Sequence, residues 1–244
     1  MNTLHPNCAC RRTLGLAAVV LIAVCASLAS GQENPPGTNI HLRGSLSNCR
    51  YQFQRQKTGH VAFIGGSITE MDGYRPMVCQ LLTKRFPDTR FTFTNAGVSS
   101  TCSTTGAFRL QSEVLSKGPV DLLFIEFAVN DDQDAGHSRQ ECIRGMEGIV
   151  RQALRHNPNM DIVITHFINP EMLEILRAGK TPLTAGAHEE VAVHYAISTI
   201  NLAKEVAEQI TAGQMTWQQY GGTHPAPYGN ALCADMIARL MDQA

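Results

Sequence analysis

Four short blocks of the chain carry side chains suited to acyl-group chemistry. Gly65-Gly66-Ser67-Ile68-Thr69-Glu70 offers a hydroxyl, and Asn95-Ala96-Gly97 offers a backbone N–H that a glycine leaves open to close approach. Val129-Asn130-Asp131 offers a side-chain amide, and Thr223-His224-Pro225 an imidazole. A hydroxyl and an imidazole together make a nucleophilic pair: Ser67 attacks, and His224 takes its proton and returns it to a leaving alcohol. The N–H groups of Ser67 and Gly97 and the amide of Asn130 would hold a tetrahedral oxyanion, one such donor being worth about 3–4 kcal/mol in the transition state. Singly, each residue has a commoner use. Ser67 could cap a helix, Asn130 tie a loop, Gly97 make a turn, and His224 lie on the surface.

The chemistry needs elements that bring four distant blocks to one place. Short apolar runs at Val61–Ile64, Leu122–Phe127, Ile162–Ile168 and Ile197–Ile200, with an alternating stretch at Arg90–Thr94 that puts Phe91 and Phe93 on one face, predict five strands. Helical spacing covers Tyr74–Phe86, Phe108–Leu115, Glu171–Arg177, His188–Tyr195, Leu202–Ile210 and Ala226–Met241. Ser138 and Glu141 form a capping box that opens a further helix to about His156. Strand-then-helix alternation with continuously apolar strands predicts an α/β fold whose parallel sheet is covered on both faces. In such sheets the ligand site lies beyond the carboxyl ends of the strands, and the first three blocks each follow a strand. Ser67, Gly97, Asn130 and His224 then share one rim.

These blocks resemble those of the SGNH hydrolases, a branch of the GDSL-like esterases named for Ser, Gly, Asn and His. Phe63-Ile64-Gly65-Gly66-Ser67-Ile68-Thr69 is similar to the first block, Asn95-Ala96-Gly97 to the second, Val129-Asn130-Asp131 to the third and Thr223-His224-Pro225 to the last. They stand in family order over residues 61–229. The resemblance implies a flavodoxin-like three-layer α/β/α sandwich with a five-stranded parallel sheet, and a serine esterase working through an acyl-enzyme. It implies no metal and no organic cofactor, and a small ester or an acylated polysaccharide as substrate, with carbohydrate O-acetyl or short-chain acyl groups the favoured class.

Two positions depart from the family pattern. Gly66 replaces the Asp that usually precedes the nucleophile, and Gly221 replaces the Asp that usually lies three residues before the His and orients it. Loss of the orienting acid costs a serine protease roughly 10⁴ in turnover. Three outcomes are open. A backbone carbonyl orients His224; an acid from another loop does so, with Glu70, Asp131 or Asp132 nearest; or the protein is a weak enzyme or a non-catalytic module that binds acylated glycans. Asp235 lies too far along the following helix to substitute.

The rest of the sequence sets bounds. The 244 residues carry 20 Lys+Arg against 21 Asp+Glu, a net charge of −1, which argues against a nucleic-acid partner. Hydrophobic residues at 43% and charged ones at 17% fit a folded globular chain. Arg11-Arg12, the apolar run from Leu14 to Ala29 and the small residues Ala29-Ser30-Gly31 have the layout of a secretory signal over residues 1–31. A secreted or periplasmic location follows, with membrane attachment only through an uncleaved signal. Residues 32–58 read as an irregular lead-in and residues 59–244 as the esterase domain. Beyond the signal stand Cys49, Cys79, Cys102, Cys142 and Cys233, an odd number that leaves at least one thiol unpaired within the chain and leaves room for one or two bridges. Asn130, Asp132, Asp134 and Glu141 match four positions of a calcium loop, but Ala135 stands where its turn needs glycine. A P-loop, a dinucleotide fingerprint and a zinc helix are all absent, and an FMN domain has no need of this rim. His166 and Trp217 are candidates for pocket lining or for ordinary packing.

Overall fold

A computed structural model describes residues 39–244; the expected signal and the start of the lead-in lie outside the described residues. The sheet has six strands: β1 (Ile40–His41), β2 (Thr58–Gly65), β3 (Arg90–Gly97), β4 (Leu122–Glu126), β5 (Asp161–Thr165) and β6 (Ser198–Ile200). Their order is β1-β6-β5-β4-β2-β3, parallel throughout except for β1. The five parallel strands are those expected, in the flavodoxin-like order.

Strand alternation explains the two core layers. Val61, Phe63, Leu122, Phe124 and Val163 face one side, where they pack with α3 (Tyr74–Arg85), α6 (Pro170–Arg177), α8 (Leu202–Thr211) and α10 (Pro227–Gln243). Ala62, Ile64, Leu123, Ile125, Ile162 and Ile164 face the other, under α4 (Ser103–Glu113), α5 (Arg139–His156) and α7 (Leu183–His194). Both faces are therefore apolar, as the unbroken hydrophobic runs required. Ser138 caps α5 through the expected box, its hydroxyl accepting from the Glu141 N–H.

The sixth strand and the lead-in correct the sequence reading. The described part of residues 32–58 is ordered secondary structure: β1, then α1 (Ser47–Tyr51) running into a π-helical turn at Gln52–Gln56 that buries Phe53. A two-residue strand has no local periodicity to read. It exists because distant partners hold it. The Arg43 N–H donates to Ser198 Oγ at 3.0 Å, Ser198 Oγ donates back to the Arg43 carbonyl, and Glu189 pairs with both Arg43 and His41. Helix α4 begins at Ser103 rather than Phe108, and α7 at Leu183 rather than His188. No helix among the described residues is long and apolar enough to cross a membrane.

Candidate active site

Strand register brings the first three blocks level. Gly65 at the end of β2 lies opposite Gly97 at the end of β3 and opposite Glu126 at the end of β4. This is where the strand order reverses, the crevice at which open α/β sheets bind ligands. From Gly65 the chain turns through Gly66 into α2 (Ser67–Glu70), a single helical turn held by Glu70 N–H to Gly66 O and Met71 N–H to Ser67 O, both 3.0 Å. Ser67 is its first residue, so its N–H has no place in the helix's own ladder and faces outward.

The described residues bring Ser67 and His224 together. Ser67 Oγ lies 2.8 Å from His224 Nε2 across 157 positions of sequence. His224 sits in the loop between α9 (Trp217–Tyr220) and α10. Two contacts shape that loop: the Ala226 N–H donates to Tyr220 O at 2.8 Å, and Asn230 Nδ2 donates to the carbonyls of Pro225 (2.6 Å) and Ala226 (3.1 Å).

The glycine at position 221 is built into this loop. It caps α9 with φ +109°, and a Cβ there would lie 1.9 Å from the Ala226 nitrogen. None of the acids expected to replace an aspartate reaches His224. Glu70 accepts from the Ser99 N–H and hydroxyl, Asp132 from Asn169 Nδ2, and Asp131 from Ser103 and His188. Burial opposes the charge of Asp131, but the bonds and charge of His188 and the bonds from Ser103 outweigh it and hold the carboxyl below its usual range. Among the described residues no acceptor bonds His224 Nδ1, and the ring's hydrogen-bond partner is Ser67 Oγ.

Asn130 lies at the same rim, buried, four residues beyond the end of β4. Its Nδ2 donates to Asp134 Oδ2 at 2.6 Å; an amide nitrogen carries two hydrogens, so one remains for a ligand. Its side chain fills the space beside Gly66, where a Cβ would meet Asn130 Oδ1 at 2.1 Å. The glycine in place of aspartate at position 66 therefore makes room for the amide. Gly97 is placed beside α2 so tightly that a Cβ would lie 2.2 Å from the Glu70 nitrogen. Its N–H, however, donates to Asn95 Oδ1 at 3.0 Å, and must exchange that partner to meet an oxyanion.

Several residues that shape the site gave no motif. Arg109 reaches from α4 to the carbonyls of Gly65 (2.8 Å) and Ala96 (2.6 Å), fixing the ends of β2 and β3. Arg75 Nε donates to Thr69 O at 3.1 Å and closes the far end of α2. A carboxylate inside the apolar run 122–127 was the one visible signal among them, and Glu126 is fully buried behind the Ser67 turn. The calcium-loop match dissolves into separate bonds, with Asp132 on Asn169, Asp134 on Asn130 and Glu141 on Ser138. His166 is buried with Nε2 on Glu189, and the partly exposed Trp217 packs on Tyr220. The five described cysteines are all free thiols.

Comparison with solved structures finds the same architecture. A two-domain esterase (CEX) active on acetylated mannans superposes with TM-score 0.70 and 27% identity, covering 83% of this chain and 54% of that one, so the chain spans about half its length. An acetylxylan esterase from Geobacillus stearothermophilus gives TM-score 0.57 at 17% identity over 75% of this chain and 94% of its own. A GDSL-like lipase from Parabacteroides merdae gives 0.65 at 15% identity over 76% and 96%. No curated protein sequence matches. Residues 63–232, spanning all four blocks, match the model of the GDSL-like lipase/acylhydrolase family, whose members hydrolyse carboxylic esters, and the chain belongs to that family.

Proposed function

We propose that the chain is an exported serine esterase that removes short acyl groups, acetyl foremost, from carbohydrate. The observation that carries the chemistry is the 2.8 Å approach of Ser67 Oγ and His224 Nε2. Ser67 Oγ attacks the ester carbonyl as its proton passes to Nε2. The Ser67 N–H and the second Asn130 N–H meet the oxyanion, and the Gly97 N–H joins them when Asn95 Oδ1 gives way. Collapse expels the alkoxide, which His224 protonates. Water deprotonated by His224 then attacks the acyl-enzyme, releasing the carboxylic acid and Ser67. With no carboxylate on Nδ1, solvent at the exposed ring stabilises the imidazolium.

The substrate class is supported by likeness. The relative at 27% identity acts on acetylated mannans. Export is supported by the layout of residues 1–31. The test is acetate release from acetylated manno- and xylo-oligosaccharides beside de-acetylated controls. Release that disappears in His224→Ala supports the reading; an inert glycan alongside hydrolysis of simple esters would remove the carbohydrate part of it.

A further inference from the structure

We propose that Glu126 is a positioning residue for the nucleophile: its carboxylate locks the turn that presents Ser67 to His224, and releases it on protonation. The proposal rests on the reading of Ser67 as the nucleophile. Glu126 ends β4 in register with Gly65, two residues before Ser67, and is completely buried. Its Oε2 accepts from Thr69 Oγ1 at 3.1 Å, and the Gly66 N–H lies where it favours the charged carboxylate. Both donors belong to the turn and helix that carry Ser67. Nothing separates them: a Cβ on Gly65 would lie 2.2 Å from Thr69 Oγ1 and 2.7 Å from Glu126 Oε2.

Stability does not explain this carboxylate. No lysine or arginine bonds it among the described residues, and its Oε1 is buried without a partner. An unpaired buried acid is a cost to folding, and such costs concentrate where a site needs them. Burial is the main reason its carboxyl is pushed up to about 7, against the pull of the Thr69 hydroxyl and the Gly66 N–H; the charges of Asp131 and Asp134 add to the rise. The other titratable groups facing it are the Tyr74 hydroxyl from α3, the Tyr220 hydroxyl from α9 and the Cys233 thiol from α10, all held neutral by burial.

The bond directions make the lock proton-dependent. When Glu126 is ionised, Tyr74 donates to Thr69 across 3.1 Å and Thr69 donates to Glu126. When Glu126 is protonated on Oε2, its O–H donates to Thr69, so Thr69 must donate to Tyr74 and the chain reverses. The charge-assisted bonds to the turn, about twice as strong as neutral ones, are lost.

The test is kcat and KM against pH for p-nitrophenyl acetate, using the full chain and three variants checked for fold by circular dichroism. Ser67→Ala is expected to be inert at every pH; activity in it would overturn the nucleophile reading itself. With that variant inert, Glu126→Gln is expected to lower kcat about tenfold at pH 8 with KM unchanged. Its acid-side decline should be shallower, carrying one proton where the wild type carries two. Thr69→Val, which strips a donor from the carboxylate, should move the wild-type decline to higher pH. A folded Glu126→Gln with wild-type kcat and wild-type acid slope overturns the proposal. Should Glu126→Gln not fold, an unmoved decline in Thr69→Val overturns it equally.

Discussion

At position 66 the Asn130 amide occupies the space a side chain would need, 2.1 Å from where its Cβ would stand. The obstacle is the end of a side chain, so Gly66→Ala is expected to fold with Asn130 displaced. Loss of one oxyanion donor costs about 10²–10³ in kcat, and Gly66→Ala should approach the lower figure with Asn130→Ala reaching it. Steady-state kinetics on both variants check this; a Gly66→Ala enzyme with full kcat would show that the amide is not needed where it sits. Position 221 is harder. Its φ of +109° and the backbone nitrogen 1.9 Å from a Cβ leave no place for the missing aspartate. Gly221→Asp should therefore lower stability by at least about 1–3 kcal/mol and lower activity too. A faster, equally stable Gly221→Asp would contradict the loop geometry. Ser67, Gly97 and Asn130 could be read because their blocks follow strands, and His224 because its block stands last in the same order, between two helices. The supports were not: Thr69 and Arg109 act through bonds to distant segments, and Arg75 and Asn230 through side-chain bonds to nearby backbone carbonyls that no motif marks.

At the scale of elements, the parallel strands and the later helices follow from their apolar periodicity. The misplaced starts of α4 and α7 have tertiary causes. Ser103-Thr104-Thr105-Gly106 is a poor helix-forming stretch, yet the Ser103 N–H and hydroxyl are held by Asp131 at 2.7 and 2.6 Å, and Gly106 lies where a Cβ would meet the Phe127 ring. Thr184, in the first turn of α7, donates to Ala128 O at 2.9 Å. Both helix starts are thus tied to the segment around Asn130. Arg109 has the same role for the strand ends. Arg109→Met would take a donor from the Ala96 carbonyl and from the Gly65 carbonyl, which keeps the Val98 N–H at 3.1 Å, so the cost is that of about one buried bond, about 1–3 kcal/mol. Urea unfolding should show a loss of about 1–3 kcal/mol; no loss would mean that the Ala96 carbonyl finds another donor.

For the whole molecule, buried acids make stability depend on pH in opposite senses. Glu126 has a carboxyl pushed up to about 7 from 4.5, so its contribution to stability is present below the unfolded value and lost as pH rises through about 7. The shift corresponds to about 3 kcal/mol. Glu126→Gln is neutral at every pH and should gain about that much stability over the wild type between pH 4 and pH 8. Thermal melts at the two pH values check it, and an equal difference at both would contradict the assigned burial cost. Asp131, held low, acts the other way: its stabilisation is present above the unfolded value and fades as pH falls through the folded one. Glu126 therefore weakens the fold in the pH range where the proposed lock is closed. The central claim remains that Ser67 and His224, 157 positions apart in sequence and 2.8 Å apart in space, form a nucleophile and its base. Its most direct test is the initial rate of p-nitrophenyl acetate hydrolysis by the wild type and by folded Ser67→Ala. The wild type is expected to turn over and Ser67→Ala to fall by at least about 10³-fold; equal rates in the two proteins would mean that Ser67 is not the nucleophile.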